Sequence, residues 1–167
     1  MKKLIMALFM VGTTTMGFSQ TLTKLVDEMA GKIYWVDEGV LYLEEENNAG
    51  FRLNGRWKYN SNEPLFEGFT AKVVGVGTCV EKVQLIVLFE DGQKITKTSW
   101  NDFNCDGDAW YFFDKKELSL LTTVPIDKVR FTNGRTYESI TGKIDTPNYF
   151  ITLYNKSLSG DYETITE

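Results

Sequence analysis

An acidic loop contains the densest group of potential metal ligands in the chain. Asp102, Asn104, Asp106 and Asp108 place an oxygen-bearing side chain on every second residue, and Gly107 allows a tight turn. A hard cation such as Ca²⁺ is bound by several carboxylate and carbonyl oxygens, which residues at alternating positions of a loop can supply. The loop is therefore a candidate calcium site, and no other cofactor is predicted.

The same residues also fit a hairpin turn. The pattern resembles the first half of an EF-hand or dockerin calcium loop, but Phe113 occupies the position of the closing bidentate carboxylate. The flanking segments are predicted to be strands, whereas an EF-hand needs helices. In the alternative interpretation, Asp106 and Gly107 form a two-residue turn between two strands. This interpretation is favoured over calcium binding.

The chain contains no histidine, which excludes Ser-His-Asp and Cys-His nucleophiles and histidine-bearing zinc sites. Its two cysteines cannot supply a four-thiolate zinc site, and it has no Gly-Lys-Ser/Thr phosphate-binding motif. Paired carboxylates could act in glycoside hydrolysis, but no pair stands out among the 23 acidic residues. The sequence therefore favours a protein without catalytic activity over a carboxylate-based hydrolase.

Residues 1–19 have the pattern of a cleaved export signal. Lys2 and Lys3 precede a short apolar run, and small residues lead to a predicted cleavage site between Ser19 and Gln20. The apolar run is too short to span a bilayer. We therefore expect an exported protein, periplasmic or secreted, with no transmembrane anchor.

The mature chain, residues 20–167, is long enough for a single domain with one hydrophobic core. Two cysteines in an exported chain most simply pair, so Cys79 and Cys105 are expected to form a disulfide, with two free buried thiols as the alternative. Without the two lysines of the leader, 16 basic residues face 23 acidic ones. This balance argues against nucleic acid or an anionic membrane surface as the partner.

The hydrophobic pattern predicts a mainly β fold, an antiparallel β-sandwich or barrel with two short helices. Apolar residues at helical spacing predict the first helix over residues 21–31. Asp114 and Glu117 have the spacing of a capping box, which predicts the start of the second helix.

Alternating apolar residues and turn signals predict the strands. The segment 83–89 is apolar on both faces, which predicts a central strand, and Lys94 and Lys97 mark the following strand as a sheet edge. An Asn-Gly dipeptide at 54–55 predicts a hairpin turn, and residues 149–154 are predicted to form the last strand.

Aromatic residues are abundant, with 11 Phe, 8 Tyr and 4 Trp in the chain. Most are expected in the core. Neighbouring aromatics on a strand point to opposite faces, however, and exposed rings can stack on sugars or anchor a protein interface. The candidates for an exposed binding platform are Trp35, Trp57, Tyr59, Trp100, Trp110 and Tyr111.

Three segments, at residues 88–94, 100–110 and 129–139, are similar to small uncharacterised exported proteins of Bacteroidota-type bacteria. The similarity covers roughly residues 66–140, and the leader ending Gly-Phe-Ser-Gln also resembles export signals of that group. The resemblance implies export and carries no activity to this chain.

Together these features favour an exported, non-catalytic domain that binds a partner at the cell surface or in the periplasm. A protein partner is preferred slightly to a glycan. The alternative is a small-ligand carrier with a barrel interior, in which the aromatic residues line a cavity. Gly31-Lys32 resembles the start of a lipocalin-like barrel, but the usual Gly-x-Trp is absent, because Trp35 lies four residues after Gly31. A carboxylate-based hydrolase is the third hypothesis.

Overall fold

The computed structural model describes residues 20–43, 49–74, 79–101 and 104–166. Within these ranges the protein is mainly β, with eleven strands and two helices, which confirms the predicted fold class and favours the sandwich over the barrel. No helix in these ranges is long and apolar enough to cross a lipid bilayer. The elements are β1 (Leu22–Asp27), β2 (Lys32–Asp37), β3 (Val40–Leu43), β4 (Gly50–Trp57), β5 (Phe66–Val74), β6 (Gln84–Phe89), β7 (Lys94–Thr98), β8 (Asp108–Phe112), α1 (Lys115–Thr123), β9 (Ile126–Thr132), β10 (Ser139–Lys143), α2 (Tyr149–Ser159) and β11 (Glu163–Thr166).

Two four-stranded antiparallel sheets form the sandwich, with strand orders β10-β9-β6-β7 and β3-β4-β5-β8. Aromatic rings join their inner faces. The ring of Phe51 on β4 lies 4.9 Å from that of Phe131 on β9, and the Tyr111 hydroxyl donates to the Val83 carbonyl at 3.1 Å. Phe51, Tyr111 and Phe131 are fully buried. The space between the sheets is thus a packed core, whose burial is the main source of stability.

The strand β6 lies inside its sheet, between β9 and β7, as its two-sided apolar sequence predicts. Its inward side chains are fully buried, and Ile86 and Leu88 on the opposite face are half-buried. The strand β7 lies at the sheet edge, which confirms the prediction made from Lys94 and Lys97.

A third sheet has the order β11-β1-β2. In it Leu25 on β1 pairs with Tyr34 of the antiparallel β2 and with Ile165 of the parallel β11. The predicted helix over residues 21–31 is therefore wrong, because this segment forms β1 and the turn that follows. Hydrogen bonding to strands on both sides outweighs the weak helical preference of the apolar spacing.

The helix α1 begins with the predicted capping box. Asp114 Oδ1 accepts a hydrogen bond from the Glu117 backbone N–H at 2.9 Å, and Glu117 Oε2 accepts one from the Asp114 backbone N–H at 2.9 Å. These bonds satisfy two backbone donors that a helix start otherwise leaves unpaired.

The helix α2 replaces the strand predicted over residues 149–154, so that prediction is wrong. Tyr149, Phe150 and Leu153 fall on one face of α2 and are buried. The ring of Phe150 stacks on Phe69 of β5 with a centroid distance of 5.3 Å. The strand was predicted because aromatic residues are enriched in strands. The spacing of these three buried side chains also fits one face of a helix.

The predicted turn at residues 54–55 is also wrong, because both residues lie inside β4. Asn54 Nδ2 donates to the Asp37 carbonyl at 2.9 Å. A Cβ on Gly55 would lie 2.8 Å from Asp37 Oδ2 and 2.7 Å from Trp57 Nε1. The dipeptide is therefore explained by close packing against Asp37 and not by a turn.

Candidate functional site: an exposed aromatic patch

Three large rings lie next to one another on the outer surface of the sheet β3-β4-β5-β8. Side chains alternate along β8, so Tyr111 points into the core while Trp110 and Phe112 point to solvent. Trp100, which follows β7, lies beside them and is 69% exposed, against 37% for Trp110 and 40% for Phe112. We call Trp100, Trp110, Phe112 and the adjacent Arg56 the aromatic patch.

The position of Trp100 is fixed by hydrogen bonds to the edge of β8. Its backbone N–H donates to the Trp110 carbonyl at 2.8 Å, and Asn101 Oδ1 accepts the Trp110 N–H at 2.8 Å. The rings of Trp100 and Trp110 are nearly parallel, at 7° with centroids 5.9 Å apart, and Phe112 meets Trp100 edge-on at 6.0 Å. The rings are thus held in place before any partner binds, which lowers the entropy cost of binding.

Arg56 reaches the patch from β4. In the sheet register it is opposite Gly68 on β5, which is in turn opposite Phe112 on β8. The guanidinium lies over the neighbouring rings, with its central carbon 4.4 Å from the Phe112 centroid and 5.3 Å from that of Trp110. Arg56 Nε is 4.0 Å from Glu67 Oε2. The patch therefore combines exposed rings with a cation.

Further polar side chains continue this face away from the rings. Arg52 on β4 is opposite Lys72 on β5, and both are exposed. Lys72 is opposite Asp108, and Thr70 is opposite Trp110. The exposed face is therefore aromatic at one end, and toward the other it carries two basic side chains beside Asp108 and the exposed Leu41.

The aromatic candidates of the sequence separate into three groups. Trp100 and Trp110 form part of the patch. Tyr59 is 53% exposed but pairs with Tyr34 near the third sheet, at a ring distance of 5.3 Å. The remaining candidates lie in the core instead of on an exposed platform, with exposed fractions of 7%, 7% and 0% for Trp35, Trp57 and Tyr111.

Two members of the patch were not among the candidates. Phe112 lies two residues after Trp110, so the alternation of β8 was a sufficient signal for it. Arg56 is distant in sequence, and only the strand register places it beside the rings.

The candidate calcium loop is held by hydrogen bonds within the chain. Asn104 Oδ1 accepts the backbone N–H groups of Asp106 and Asp108, both at 3.1 Å, and Asn104 Nδ2 donates to the Asp108 carbonyl at 2.6 Å. Asp102 lies outside the described residues. In the part of the chain that the structure describes, there is no group of three or more acidic or cysteine side chains placed to hold a metal ion.

The sulfur atoms of Cys79 and Cys105 lie 2.04 Å apart, at disulfide distance, in agreement with the predicted pairing. Next to them, the Val80 N–H donates to the Asn104 carbonyl at 2.8 Å, and the reciprocal bond measures 3.0 Å. The pair therefore connects the segment before β6 with the segment before β8. Cys105 follows Trp100 after a few residues of the chain.

A second polar cluster surrounds Asp37, at the end of β2. Its carboxylate accepts hydrogen bonds from the Tyr149 hydroxyl at 2.8 Å, the Gly55 N–H at 2.7 Å and Trp57 Nε1 at 3.2 Å. Burial raises the pKa of Asp37, and this effect is larger than the opposing effect of the hydrogen bonds. Burial and the Asp37 charge raise the pKa of Tyr149. The cluster links β2, β4 and α2.

An open cavity of about 320 Å³ lies beside this cluster and is lined by Val40, Leu41 and Tyr149, with the acidic residues Glu38 and Asp145. Both carboxylates are exposed. A glycosidase needs one carboxyl group that burial keeps protonated near neutral pH. Neither lining carboxylate has that burial. The buried carboxyl group, that of Asp37, accepts hydrogen bonds from Tyr149 and Gly55 and is not among the residues that line the cavity.

Comparison with known proteins gave no match to this chain among protein-family models, curated proteins or solved structures.

Proposed function

We propose that the protein is an exported, non-catalytic interaction domain that binds a protein partner through the aromatic patch. Tryptophan and arginine are the residues most enriched at the energetic centres of protein interfaces, and phenylalanine is enriched in interfaces generally. Here these three residue types adjoin one another on the outer face of a sheet. The cysteine pair at disulfide distance is compatible with export.

The exposure of Trp100 is the observation that carries the proposal. A side chain of this size, 69% exposed and stacked on a second exposed tryptophan, leaves a large apolar area in contact with water. Covering apolar area stabilises a complex by about 25 cal/mol per Å² before the costs of association. Contiguous exposed apolar surface of this kind marks interaction sites.

The packing of the sandwich favours a surface site over a carrier function. Phe51, Phe131 and Tyr111 fill the space between the two large sheets where a carrier would hold its ligand. The patch also places the Arg56 cation against its rings, a combination that favours a protein interface over a platform for a sugar.

Affinity capture tests the proposal. The mature protein is immobilised and exposed to envelope and culture-supernatant fractions of its source, in parallel with Trp100→Ala and Trp110→Ala. Tyr137→Ala is the matched control, because Tyr137 is an aromatic residue 80% exposed outside the patch. We expect a protein that is retained by the wild type and the control and lost by both tryptophan variants. Retention of the same proteins by all four would contradict the proposal.

A further inference from the structure

The Arg56 guanidinium has few partners for a half-buried cation. Its Nε atom is buried and has no hydrogen-bond partner among the residues that the structure describes. The Glu67 carboxylate with which it pairs is 4.0 Å away, beyond hydrogen-bond distance. The faces of Phe112 and Trp110 attract its charge but are weak acceptors for N–H groups. A carboxylate is the group that satisfies a guanidinium best, because it can accept two parallel N–H bonds.

The surrounding face carries further positive charge. Two of the four arginines of this acidic protein, Arg52 and Arg56, are on the outer face of β4. Arg52 is directly opposite Lys72, an arrangement in which like charges repel unless an anion lies near them. Among the described residues, the acidic groups on the same face are Asp108, opposite Lys72, and Glu67, beside Arg56. The described part of this face therefore carries more cations than carboxylates, which favours a negatively charged partner.

From these observations we infer that the patch binds an acidic peptide segment of the partner protein. A carboxylate of that segment binds Arg56, an apolar or aromatic side chain next to it covers Trp100, and further acidic residues extend toward Arg52 and Lys72. This inference rests on the proposed function, because it specifies the chemistry of the partner for the same surface.

The edge of β8 indicates how the segment lies. The Trp110 carbonyl and N–H are already bonded to the Trp100 N–H and to Asn101 Oδ1. A peptide cannot add to the sheet as a further strand at that position without displacing these bonds. The segment therefore crosses the outer face of the sheet and is held by its side chains.

Fluorescence anisotropy with three labelled peptides of equal length tests the inference. The peptides alternate tyrosine with glutamate, serine or lysine. The glutamate peptide should bind the mature protein most tightly and lose affinity as NaCl is raised. Arg56→Gln should weaken the affinity for the glutamate peptide by roughly tenfold. Arg56→Lys should weaken it less, since lysine keeps the charge but cannot form a bidentate bond with a carboxylate. Arg130→Gln is the control, because it removes the same charge from a strand of the other large sheet.

Several results would overturn the inference. Equal binding of the glutamate and serine peptides would show that negative charge is not recognised, and an equal loss in Arg130→Gln would remove Arg56 as the site. Binding of an oligogalacturonate without binding of the glutamate peptide would identify an acidic glycan instead. Failure of all three peptides would likewise refute the acidic-peptide assignment. The capture experiment judges the proposed function separately, because it depends on Trp100 and Trp110 and not on the charge of any probe.

Discussion

Replacement of Asp37 by alanine removes an acceptor on which several buried donors converge. The Gly39 N–H keeps a bond to the Tyr149 hydroxyl at 2.7 Å, and Asn54 Nδ2 keeps its bond to the residue 37 carbonyl at 2.9 Å. Among the described residues, three donors lose the only acceptor that the structure gives them: the Tyr149 hydroxyl, the Gly55 N–H and Trp57 Nε1.

The three lost bonds set the size of the effect. Each buried donor left unsatisfied costs about 1–3 kcal/mol, which gives about 3–9 kcal/mol for the three. Removing the carboxylate also removes the cost of burying its charge, which offsets part of this loss. At neutral pH we therefore expect Asp37→Ala to lower the free energy of unfolding by about 2–4 kcal/mol.

Urea unfolding followed by tryptophan fluorescence measures this difference. Asp145→Ala is the control, since Asp145 is an exposed carboxylate near the same cavity and should change stability by less than about 0.5 kcal/mol. A loss below about 1 kcal/mol in Asp37→Ala would refute the reasoning, because leaving three buried donors without an acceptor should cost more than that.

The pH dependence gives a second readout of the same cluster. Burial raises the pKa of Asp37 above its ordinary value of 3.8. The folded state therefore holds the proton more tightly than the unfolded state, so the contribution of Asp37 to stability is complete below pH 3.8 and declines as the pH rises through the raised pKa. The difference between wild type and Asp37→Ala should consequently be largest at acidic pH and smaller at neutral pH. A difference that grows with pH would contradict this assignment.

Two further predictions concern the loops around the patch. Replacing Cys79 and Cys105 by serine opens a loop with a sequence separation of 26. It should lower the free energy of unfolding, measured in urea, by about 3–4 kcal/mol. A loss under about 1 kcal/mol would contradict a native disulfide. Gly107→Ala should destabilise by more than about 1 kcal/mol, because Gly107 has a φ of 79° and a Cβ would collide with the Val73 carbonyl. Thermal melts of Gly107→Ala and of Asp106→Ala, a control at an exposed neighbouring residue, test this expectation. Equal midpoints for the two variants would contradict it and show that the backbone shifts to accommodate the Cβ.

The features that sequence reasoning predicted correctly depend on local chemistry. The capping box at Asp114 and Glu117 involves groups three residues apart, and the two-sided apolar pattern of β6 needs no knowledge of its neighbours. Lys94 and Lys97 similarly mark an edge strand by their own charge.

The features that it missed depend on partners distant in sequence. Residues 21–31 look helical until β11, from the end of the chain, supplies hydrogen bonds to β1. Asn54-Gly55 looks like a turn until Asp37 occupies the space beside Gly55. The same reason explains why only part of the aromatic patch was predicted. Its tryptophans were candidates in the sequence, but Arg56 is placed beside them only by the strand register.

The position of β1 between β2 and β11 also constrains the order of folding. β1 is the first element of the described chain and β11 the last, so this sheet is complete only once residues up to 166 are available. The bond between Tyr149 and Asp37 closes a separation of 112 positions and imposes the same requirement. Contacts this distant in sequence slow folding, because the chain loses loop entropy before it gains them. During synthesis from the amino end, the third sheet therefore stays incomplete until β11 has been released.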